Sequence, residues 1–575
     1  MIPPGQDGAS LEAEAISFTY PSAERAALHE VSLNLEPGQL GCLMGRTGAG
    51  KSTLSLCLNG IIPAMQAGEF KGIVRIGADS ISAQPVHEIA RRVGLLFQDF
   101  ETQLLCSDVE SEVAFGLENA QMPREQMQQR VTEMLELVGL DDLRGRDPST
   151  LSGGQKQRLA LAAVLAPAPQ VIILDEPTTD LDPLGKRELM EVCAQLRDDG
   201  ITMLMADHEA GRAIGADHLT VLDEGEVAFA GPGDELLSDP DRLRELGTRP
   251  LEMPALFAAL GLAERPLTPE RAAAILSARG WRVDEEAYAR LADEDARTDD
   301  LGHTLISADE VSYAYPEGGA QALRGVSLRI REGEFVAILG ENGSGKTTLA
   351  KHLNGLLRPD AGQVTVCGMH TRGARPRQLA HEVGYLFQNP DHQIFAGRVD
   401  EEIAFGPRNL GVSEAELRSR VRQVLALVNL EGYEGKDPFV LTKGERQRVA
   451  LASVLAARPR IIVFDEPTTG LDGPEQEQMM RLLRGLNEAG QTIIFITHCT
   501  WAAAEYARRA IVMDEGRIVA DVTPRELFGD AGLLAETGQV PPAVAQFSQA
   551  LDGKALLSIR EALRCLRAPT AEGEG

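Results

Sequence analysis

The sequence carries one ordered set of motifs twice, once in each half of its 575 residues. In both halves a glycine-rich loop ending in Lys-Ser or Lys-Thr is followed by a glutamine, a signature beginning with Leu-Ser or Leu-Thr, an Asp-Glu pair and a histidine. Lys51 and Lys346 in the loops are 295 residues apart, whereas Gln98 and Gln388 are 290 apart, so the repeat slips once by five residues. Length alone suggests roughly four domains. Because the motifs of one set are spread across each half, the repeat predicts two similar domains instead.

Each half is predicted to consist of a core and a small helical appendix. Apolar segments with helical character begin at Pro254 and Pro542, at similar distances after the turns at Gly225 and Gly516. A solvated tail is the alternative for either segment. Between the halves, the acidic residues of the stretch 293–300 predict the hinge. The predicted boundaries are residues 11–235 for the first core, 236–305 for its appendix and the acidic linker, 306–529 for the second core and 530–575 for the C-terminal appendix.

The composition excludes several classes of protein. The seven cysteines include no Cys-x-x-Cys pair, which predicts a reduced, cytosolic chain without a zinc site or a disulfide framework. No apolar stretch reaches about 18 residues, and the N-terminus lacks the regions of a signal peptide. The formal net charge of −30 disfavours binding to nucleic-acid backbones and to anionic lipids. Any membrane attachment is therefore expected to go through specific protein contacts, and the simpler explanation of the acidity is solubility.

The pattern of apolar residues predicts an α/β fold. Residues 171–174 and 201–205 are continuous apolar runs, of the kind buried on both faces of a parallel sheet. Residues 31–35 and 326–330 alternate apolar and polar side chains and precede glycine-containing turns. These two segments predict strands with one face nearer to solvent. Helical stretches separate the strands.

The two glycine-rich loops carry the most specific chemistry. Each follows an apolar run, and its glycines allow the backbone to approach phosphate closely at the start of a helix. Lys51 and Lys346 supply a positive charge for the β- and γ-phosphates, and the hydroxyls of Ser52 and Thr347 are predicted Mg²⁺ ligands. The predicted nucleotide-binding residues of the loops are Gly45, Arg46, Thr47, Gly48, Ala49, Gly50, Lys51, Ser52 and Thr53, and Gly340, Glu341, Asn342, Gly343, Ser344, Gly345, Lys346, Thr347 and Thr348.

An Asp-Glu pair follows an apolar run in each half and precedes Pro-Thr-Thr. Asp175 and Asp465 are predicted to hold Mg²⁺, and Glu176 and Glu466 to act as general bases on the attacking water. A carboxylate pair at the end of a strand is, by itself, more often a turn or a helix cap. Because the pair recurs within the same surrounding sequence, the catalytic interpretation is favoured.

The order of these motifs resembles that of the nucleotide-binding domains of ABC transporters, over both halves and most of the chain. The resemblance implies two tandem P-loop ABC ATPase domains, each with a mainly parallel sheet, an antiparallel β subdomain and a helical subdomain that carries the signature. It also implies that each ATP lies between the phosphate loop of one domain and the signature of the other. The further residues that it implies are the adenine-stacking Tyr20 and Tyr315, the Mg²⁺-contacting and signalling Gln98 and Gln388, the γ-phosphate-contacting His208 and His498, and the signature residues Ser152, Gly153, Gly154, Gln155, Thr442 and Gly444.

The segments that follow the two glutamines are similar to those of the ATPases of energy-coupling factor importers, which power the uptake of vitamins and of nickel or cobalt. Val109 and Val113, like Val399 and Ile403, are four residues apart and share a helix face. Such a face suits a groove that receives a helix of a partner protein. Packing of the same residues against their own core is the alternative.

The second signature departs from the family pattern. It reads Leu-Thr-Lys-Gly-Glu at residues 441–445, so that Lys443 stands where the first signature has Gly153. A glycine lets the amino end of a helix approach phosphate, and a lysine side chain hinders that approach although its charge partly compensates. We expect two unequal sites that both bind ATP. By the family's arrangement, the site with Lys51 is the one that meets the altered signature.

The resemblance implies the ATP-hydrolysing subunit of a membrane importer, with ATP and Mg²⁺ as cofactors. The expected partners are a transmembrane coupling subunit and a small substrate-binding membrane subunit, with the chain on the cytoplasmic face of the membrane and no nucleic-acid partner. One rival is a soluble twin ABC protein acting on ribosomes or DNA, which the acidity and the lack of cysteine clusters disfavour. The nearer rival is the ATPase of a peptide or sugar importer. The substrate stays open between a thiamine precursor, another vitamin and a metal ion. The fused layout resembles that of thiamine-precursor importers.

Overall fold

We describe the protein from a computed structural model, which defines the structure of residues 8–21, 23, 25–81, 84–178, 181–295, 297, 301–316 and 321–569. The contacts between residues divide the chain into two compact units. One holds the residues up to Ala255 together with Asp472–Pro474, and the other holds Leu256–Leu471 and the residues from Glu475 onward. Among the described residues, none of the helices is both long and apolar enough to cross a lipid bilayer.

The first half alternates strands and helices. Its strands are β1 Leu11–Thr19, β2 Leu28–Leu35, β3 Leu40–Gly45, β4 Glu69–Ile76, β5 Asp79–Ser80, β6 Val93–Leu96, β7 Val171–Asp175, β8 Thr202–Ala206, β9 His218–Asp223 and β10 Glu226–Gly231. Its α-helices are α1 Lys51–Leu58, α2 Ile61–Ala64, α3 Val86–Ile89, α4 Val109–Asn119, α5 Arg124–Leu137, α6 Gly153–Leu165, α7 Pro183–Asp198, α8 Gly233–Leu237, α9 Pro240–Glu245 and α10 Glu252–Ala259.

Two sheets form the first half. The six-stranded sheet has the order β10-β9-β3-β8-β7-β6, in which all pairs are parallel except β10 with β9. The four-stranded sheet has the order β2-β1-β4-β5 and is antiparallel. Strands β7 and β8 are buried along their whole length, as their continuous apolar runs predict, whereas β2 alternates buried and exposed residues. Helix α6 packs against α4 and α5, and these helices form the part of the half that carries the signature.

The second half has the same kinds of elements, and it includes the segment between the cores. Its strands are β11 Arg282–Val283, β12 Thr304–Ala314, β13 Gln321–Arg331, β14 Phe335–Gly340, β15 Ala361–Val366, β16 Met369–His370, β17 Val383–Leu386, β18 Ile461–Asp465, β19 Thr492–Ile496, β20 Arg509–Asp514, β21 Arg517–Val522 and β22 Leu566–Arg567. Its α-helices are α11 Pro269–Ala278, α12 Glu285–Asp295, α13 Lys346–Leu353, α14 Pro376–Glu382, α15 Val399–Leu410, α16 Glu414–Leu427, α17 Lys443–Ala456, α18 Gly473–Glu488, α19 Thr500–Tyr506, α20 Pro524–Gly529, α21 Ala531–Thr537, α22 Ala543–Asp552 and α23 Ile559–Cys565.

The sheets of the second half repeat those of the first. Their orders are β17-β18-β19-β14-β20-β21 and β13-β12-β15-β16. The predicted α/β class, with a mainly parallel sheet, an antiparallel sheet and a helical part in each half, is confirmed.

Strand pairing also shows where the repeat slips by five residues. Ala13 pairs with Val74 in the first half, and Ala308 pairs with Val364 in the second. Ala308 lies 295 residues after Ala13, whereas Val364 lies 290 residues after Val74. The extra residues lie around α2, because in the second half α13 leads directly to β15.

The two predicted appendices pack against each other within the second unit. Helix α11 packs against α22, and α12 packs against α23. Strand β11 forms an antiparallel pair with β22, in which Val283 lies opposite Leu566. The segment between the cores is therefore folded together with the C-terminal segment. The domain boundaries given above remain predictions from the sequence.

The acidic stretch that we predicted to be the hinge is partly helical. Residues 293–295 form the end of α12, whereas Asp299 and Asp300 lie outside the described residues. The carboxylate of Asp295 accepts a hydrogen bond from Arg525 Nε at 2.6 Å. Charge pairing with the C-terminal appendix, which a local composition cannot reveal, therefore fixes this part of the stretch.

Arg525 is the centre of a buried ionic cluster that joins the two appendices. Its side chain is only 6% exposed. Besides Asp295 it binds both carboxylate oxygens of Glu561, at 3.0 and 2.8 Å, and the carbonyl oxygen of Ala555 at 2.8 Å. Burial alone would lower the pKa of Arg525, but the two carboxylates raise it above its ordinary value, so the guanidinium stays charged.

We predict that Arg525→Ala lowers the free energy of unfolding of the second unit by about 3–5 kcal/mol, because the change leaves buried carboxylates unpaired. Both tryptophans of the chain, Trp281 and Trp501, lie in this unit, so their fluorescence during denaturant unfolding reports on it selectively. Arg481→Ala, which removes an exposed pair with Glu477, is the control and is expected to cost about 0.5 kcal/mol. A change for Arg525→Ala no larger than the control would show that the cluster does not hold the appendices.

Candidate functional site

The two glycine-rich loops have the same local geometry. Each follows a buried strand, β3 or β14, and ends at a helix whose first residue is the loop lysine. Gly50 and Gly345 precede these helices with φ angles of 103° and 99°. A methyl group on Gly50 would lie 2.7 Å from the carbonyl oxygen of Ala27, and one on Gly345 would lie 2.5 Å from that of Ala322. Only glycine therefore fits at these two positions.

The lysines of the loops are held inside them. Lys51 Nζ donates hydrogen bonds to the carbonyl oxygens of Gly45 and Arg46, at 2.9 and 3.1 Å. Lys346 Nζ makes the same two bonds in the second half, at 2.8 and 2.7 Å. Lys51 Nζ also lies 3.7 Å from Glu176 Oε1. Each loop therefore holds a nearly buried positive charge at the start of a helix, where an anionic phosphate is stabilised.

The predicted adenine-stacking tyrosines are anchored to the helices that follow the loops. The hydroxyl groups of Tyr20 and Thr53 are 3.1 Å apart, and those of Tyr315 and Thr348 are 3.2 Å apart. Each tyrosine ring packs edge-on against the aromatic residue two positions before it, at centroid distances of 4.9 and 5.1 Å. The structure thus places both tyrosines beside the loops, and their stacking on adenine remains a prediction.

The predicted Mg²⁺-binding aspartates end central strands and are almost fully buried. In the first half, the pKa of Asp175 is raised to about 6, mainly because the carboxylate is buried. A hydrogen bond from the Ser52 side chain lowers this pKa and so offsets part of the rise. Within the described residues, Asp175 Oδ1 is buried without a hydrogen-bond partner. In the second half, Thr347 Oγ1 donates to Asp465 Oδ1 at 3.1 Å and the Tyr385 hydroxyl donates to Oδ2 at 2.8 Å.

These residues fit a Mg²⁺ ion. Mg²⁺ prefers oxygen ligands and is commonly held by one or two carboxylates together with phosphate oxygens. Each half offers a buried carboxylate next to a hydroxyl at the start of the loop helix, and the unpartnered oxygen of Asp175 indicates an acceptor that lacks its natural partner. Ser52 and Asp175 would hold the ion in the first half, and Thr347 and Asp465 in the second. Bound there, Mg²⁺ neutralises charge on the phosphates.

The two predicted general bases have strained backbones. Glu176 and Glu466 have φ angles of 48° and 54°. These angles lie in the left-handed region, which is unfavourable for residues other than glycine. Their N–H groups donate to the carbonyl oxygens of Ala206 and Ile496 on the neighbouring strand, at 2.8 and 3.1 Å, which holds the turn. Backbone strain of this kind costs about 1–3 kcal/mol per residue and clusters at functional sites. Its presence at both equivalent positions supports a functional role for the glutamates.

The glutamine, the glutamate and the histidine converge in the first half. Gln98 Nε2 donates to Glu176 Oε2 at 2.7 Å, and His208 Nδ1 lies 3.8 Å from Glu176 Oε1. In the second half, His498 Nε2 lies 3.0 Å from Glu466 Oε1. The structure therefore brings together residues of the first half that are spread along the sequence from Gln98 to His208. Gln388 occupies the equivalent position after β17, where it is exposed.

A buried acid distinguishes the histidine of the first half. Asp207 is 2% exposed and accepts hydrogen bonds from the N–H groups of His208 and Glu209, at 2.7 and 2.9 Å. Burial alone would lower the pKa of His208, but the carboxylate of Glu176 and that of Asp207 raise it above its ordinary value. In the second half the position of Asp207 is taken by Thr497, which carries no charge. Asp207 was not among the residues predicted from the sequence.

Both signatures begin a helix. Ser152 caps α6, and Thr442 caps α17, through a side-chain oxygen that accepts the N–H group three residues later. The side-chain oxygens of Gln155 and Glu445 in turn accept a hydrogen bond from the N–H group of the capping residue, which completes a capping box in each half. The signature residues therefore fix the amino end of each helix, where the helix dipole favours negative charge.

The two helix ends differ at one position. A methyl group on Gly153 would meet no atom within 4 Å, so the first signature leaves its helix end bare. Lys443 is the first residue of α17, and its ammonium group lies so close to Gly470 that a methyl group there would overlap it. Gly444 packs equally closely against Glu475. The geometry supports unequal signatures, and the inequality of the two ATP sites remains a prediction.

The prediction that four apolar residues line a groove for a partner helix is wrong. Val109, Val113, Val399 and Ile403 are completely buried and belong to the cores of their own halves. They lie on the faces of α4 and α15 that pack against α6 and α17. The i, i+4 spacing showed that the residues share a face, but it did not show which face is turned outward.

A different set of apolar residues on the same segments is exposed. We use the name post-glutamine patch for the pair in each half, which is Leu105 and Phe115 in the first half and Phe395 and Phe405 in the second. Their exposed fractions are 71%, 45%, 59% and 46%. The rings of Phe395 and Phe405 meet edge to face at 4.6 Å. These exposed residues replace the buried valines as the candidates for contact with a partner.

We predict that His208 keeps its proton to higher pH than an ordinary imidazole, because its raised pKa extends the protonated form upward. Nuclear magnetic resonance of ¹³C-labelled histidine rings as a function of pH would measure this. Asp207→Thr, which introduces the residue of the second half, should move the titration of His208 to lower pH. His218, whose pKa burial lowers, is the internal control and should not move. A His208 titration unaffected by Asp207→Thr would contradict the assignment.

Known proteins are similar to this chain over both of its halves. The family model described as ABC transporter matches residues 28–179 and 323–469. A protein of Caldanaerobacter subterraneus subsp. tengcongensis, named as a predicted ABC transporter ATP-binding protein, is 44% identical over 96% of this chain and 98% of its own length. A protein of Methanosarcina mazei with a similar name is 36% identical over the full length of both chains.

Among solved structures, cbiO1 from Clostridium perfringens, described as part of the ABC transporter complex cbiONQ, is 34% identical to the matched region. The match covers 41% of this chain and 94% of that one, with a TM-score of 0.37. Because the family match falls on both repeats and the similarity to relatives extends over the whole chain, this protein belongs to the ABC transporter family and has two ATPase domains that bind ATP with Mg²⁺ and hydrolyse it.

Proposed function

We propose that this chain is the ATP-hydrolysing subunit of an importer of the energy-coupling factor type, which takes up a vitamin, a thiamine precursor, or cobalt or nickel. The observation that carries the proposal is the post-glutamine patch, which presents exposed apolar side chains on corresponding segments of both halves. Those segments are also the ones whose sequences are similar to energy-coupling factor ATPases. Exposed apolar groups next to polar surface mark sites of protein contact.

A buried glutamate anchors the post-glutamine patch of each half. In the first half, the buried carboxylate of Glu112 accepts the N–H groups of Leu105 and Cys106, at 2.8 and 2.7 Å. In the second half, Glu402 binds the N–H group of Phe395 in the same way, at 3.0 Å. Each loop is thus fastened to the helix that carries the second apolar residue of its patch. A partner helix seated on the patch would contact a preformed surface.

The same segments begin at the ATP site. Gln98 opens the first segment and donates to Glu176, the predicted general base. A change at the γ-phosphate that moves Glu176 would therefore reach the patch through one short stretch of chain. This path supports coupling between hydrolysis and movement of the transmembrane coupling subunit. A second membrane subunit would bind the substrate, and the chain would lie at the inner face of the membrane only through these partners.

We further propose that each ATP is enclosed by the loop of one domain and the signature of the other, as the family resemblance implies. In that arrangement the ATP held by Lys51 faces Lys443 of the altered signature, and the ATP held by Lys346 faces Gly153. The two sites would then hydrolyse ATP at different rates. The fusion of both domains in one chain keeps the partner domain at a high local concentration.

A soluble twin ABC protein acting on ribosomes or DNA is the second candidate. The net charge of −30 disfavours contact with phosphate backbones, which depends on clustered lysine and arginine. The post-glutamine patch is apolar and therefore suits a protein partner better than a nucleic acid. A peptide or sugar importer would use the same surface, and only the sequence similarity of the segments favours the energy-coupling factor type over it.

Single-turnover hydrolysis tests the roles of the glutamates. Glu176→Gln and Glu466→Gln should each slow hydrolysis at their own site by about 10²–10⁴-fold, because a general base is removed without a change in shape. Glu466→Gln should remove the larger share of total hydrolysis, since it silences the site that faces the unaltered signature. Lys443→Gly is the matched variant and should make the two losses more equal. Equal losses in the original background would contradict unequal sites.

Co-purification from gently solubilised membranes of the native host tests the importer. The tagged chain should recover one transmembrane subunit and one small membrane protein, identified by mass spectrometry. Phe115→Glu combined with Phe405→Glu should abolish this recovery and leave single-turnover hydrolysis unchanged. Met65→Glu, at a residue that is 75% exposed outside the patch, is the control and should keep the partners. Recovery of ribosomes or nucleic acid without a membrane protein would favour the soluble candidate.

A further inference from the structure

In the second ATP site a tyrosine donates a hydrogen bond to the aspartate, and the described residues of the first site offer no counterpart to it. The Tyr385 hydroxyl donates to Asp465 Oδ2 at 2.8 Å, and Thr347 Oγ1 donates to Oδ1 of the same carboxylate at 3.1 Å. The carboxylate is therefore held through both of its oxygens. Each oxygen keeps a second lone pair, so both bonds leave acceptor capacity for another partner.

The core fixes the position of Tyr385. It lies on β17, opposite Val463 of the parallel neighbour β18, whose last residue is Asp465. Its side chain is 9% exposed, and its ring meets Phe387 edge to face at 4.9 Å. A phenol held on a buried strand loses little further rotational freedom when it donates. Its hydroxyl is thus a fixed donor aimed at the carboxylate.

The first half has leucine at the equivalent position. Leu95 lies three residues before Gln98, as Tyr385 lies three residues before Gln388, and it pairs with Ile173 of β7 in the same register. Asp175 is as buried as its counterpart, but the side-chain hydroxyl of Ser52 binds it and its Oδ1 has no hydrogen-bond partner among the described residues. The two aspartates therefore differ in the number of side chains that orient them.

This difference matters at the moment when a metal is bound. The hydroxyl of Thr347 or Ser52 is itself a predicted Mg²⁺ ligand, and it can give a lone pair to the ion while its O–H group still donates to the aspartate. Asp465 then has the bond from Tyr385 as a second side-chain donor, whereas among the described residues Asp175 has the one from Ser52. Groups that orient a metal ligand typically change metal affinity by about 10–100-fold.

We propose that Tyr385 is a positioning residue that holds Asp465 in the orientation in which it receives Mg²⁺, so that the second site binds Mg²⁺ with its nucleotide at lower Mg²⁺ concentration than the first. The inference rests on Mg²⁺-dependent ATP binding and does not depend on the type of transporter. By this proposal, the two ATP sites differ in their affinity for Mg²⁺ as well as in the signature that each of them meets.

A Mg²⁺ titration of nucleotide binding tests the proposal. Lys51→Ala leaves the second site as the one that binds the fluorescent analogue trinitrophenyl-ATP, and Lys346→Ala leaves the first. In the Lys51→Ala chain, adding Tyr385→Phe should raise the Mg²⁺ concentration at half-saturation by about tenfold or more, because only the hydroxyl is removed. Tyr385→Leu, which introduces the residue of the first half, should produce the same rise. The Lys346→Ala chain should already require the higher concentration.

Two further measurements separate positioning from a structural role. Binding of the analogue in EDTA should be unchanged by Tyr385→Phe, and denaturant unfolding should remain a single cooperative transition. Leu95→Met in the Lys346→Ala chain is the matched control and should leave the Mg²⁺ requirement of the first site unchanged. An unaltered Mg²⁺ requirement in Tyr385→Phe would overturn the proposal. Equal losses of binding with and without Mg²⁺ would also overturn it, since they would show a general disturbance of the site.

Discussion

Parallel pairing of three adjacent strands in each half is the constraint on which the ATP site depends. The loop follows β3, the Asp-Glu pair ends β7, and the histidine follows β8, which lies between them. In the first half both Leu43 and Asp175 pair with Ala206, so the three strands end at the same level. In the second half Ile338 and Asp465 both pair with Ile496. Carboxyl ends of parallel strands form the edge at which α/β folds bind their ligands.

The duplicated architecture does not produce two equal sites. The order and pairing of the strands are the same in both halves. The side chains next to the reacting groups nevertheless differ at two equivalent positions. Leu95 and Tyr385 occupy one strand position, and Asp207 and Thr497 another. The first site therefore gains a buried acid beside its histidine, and the second gains a phenol on its aspartate. Each substitution changes the electrostatics of one site and leaves the backbone of both alike.

The sequence predicted what depends on local patterns. The continuous apolar runs identified the central strands, and the loop, the Asp-Glu pair and the histidine were found because each motif is short and repeated. It did not predict the Tyr385 bond to Asp465, because the partners are 80 residues apart and meet only across a strand pair. It also placed Val109 on the wrong side of its helix, since spacing defines a face but not its direction. The pairing of Val283 with Leu566 is longer in range still.

The packing of the segment between the cores has a consequence for the covalent continuity of the chain. Residues 256–295 lead into the acidic stretch 293–300 and include its first three residues, yet they are folded with the C-terminal segment through the β11-β22 pair and the Arg525 cluster. A break of the backbone near residue 298 would thus leave the amino-terminal piece attached, because its last helices would remain as a noncovalent part of the other piece. The chain is therefore held together at this point by noncovalent packing of residues 256–295 with the C-terminal segment, in addition to the peptide bonds of the linker.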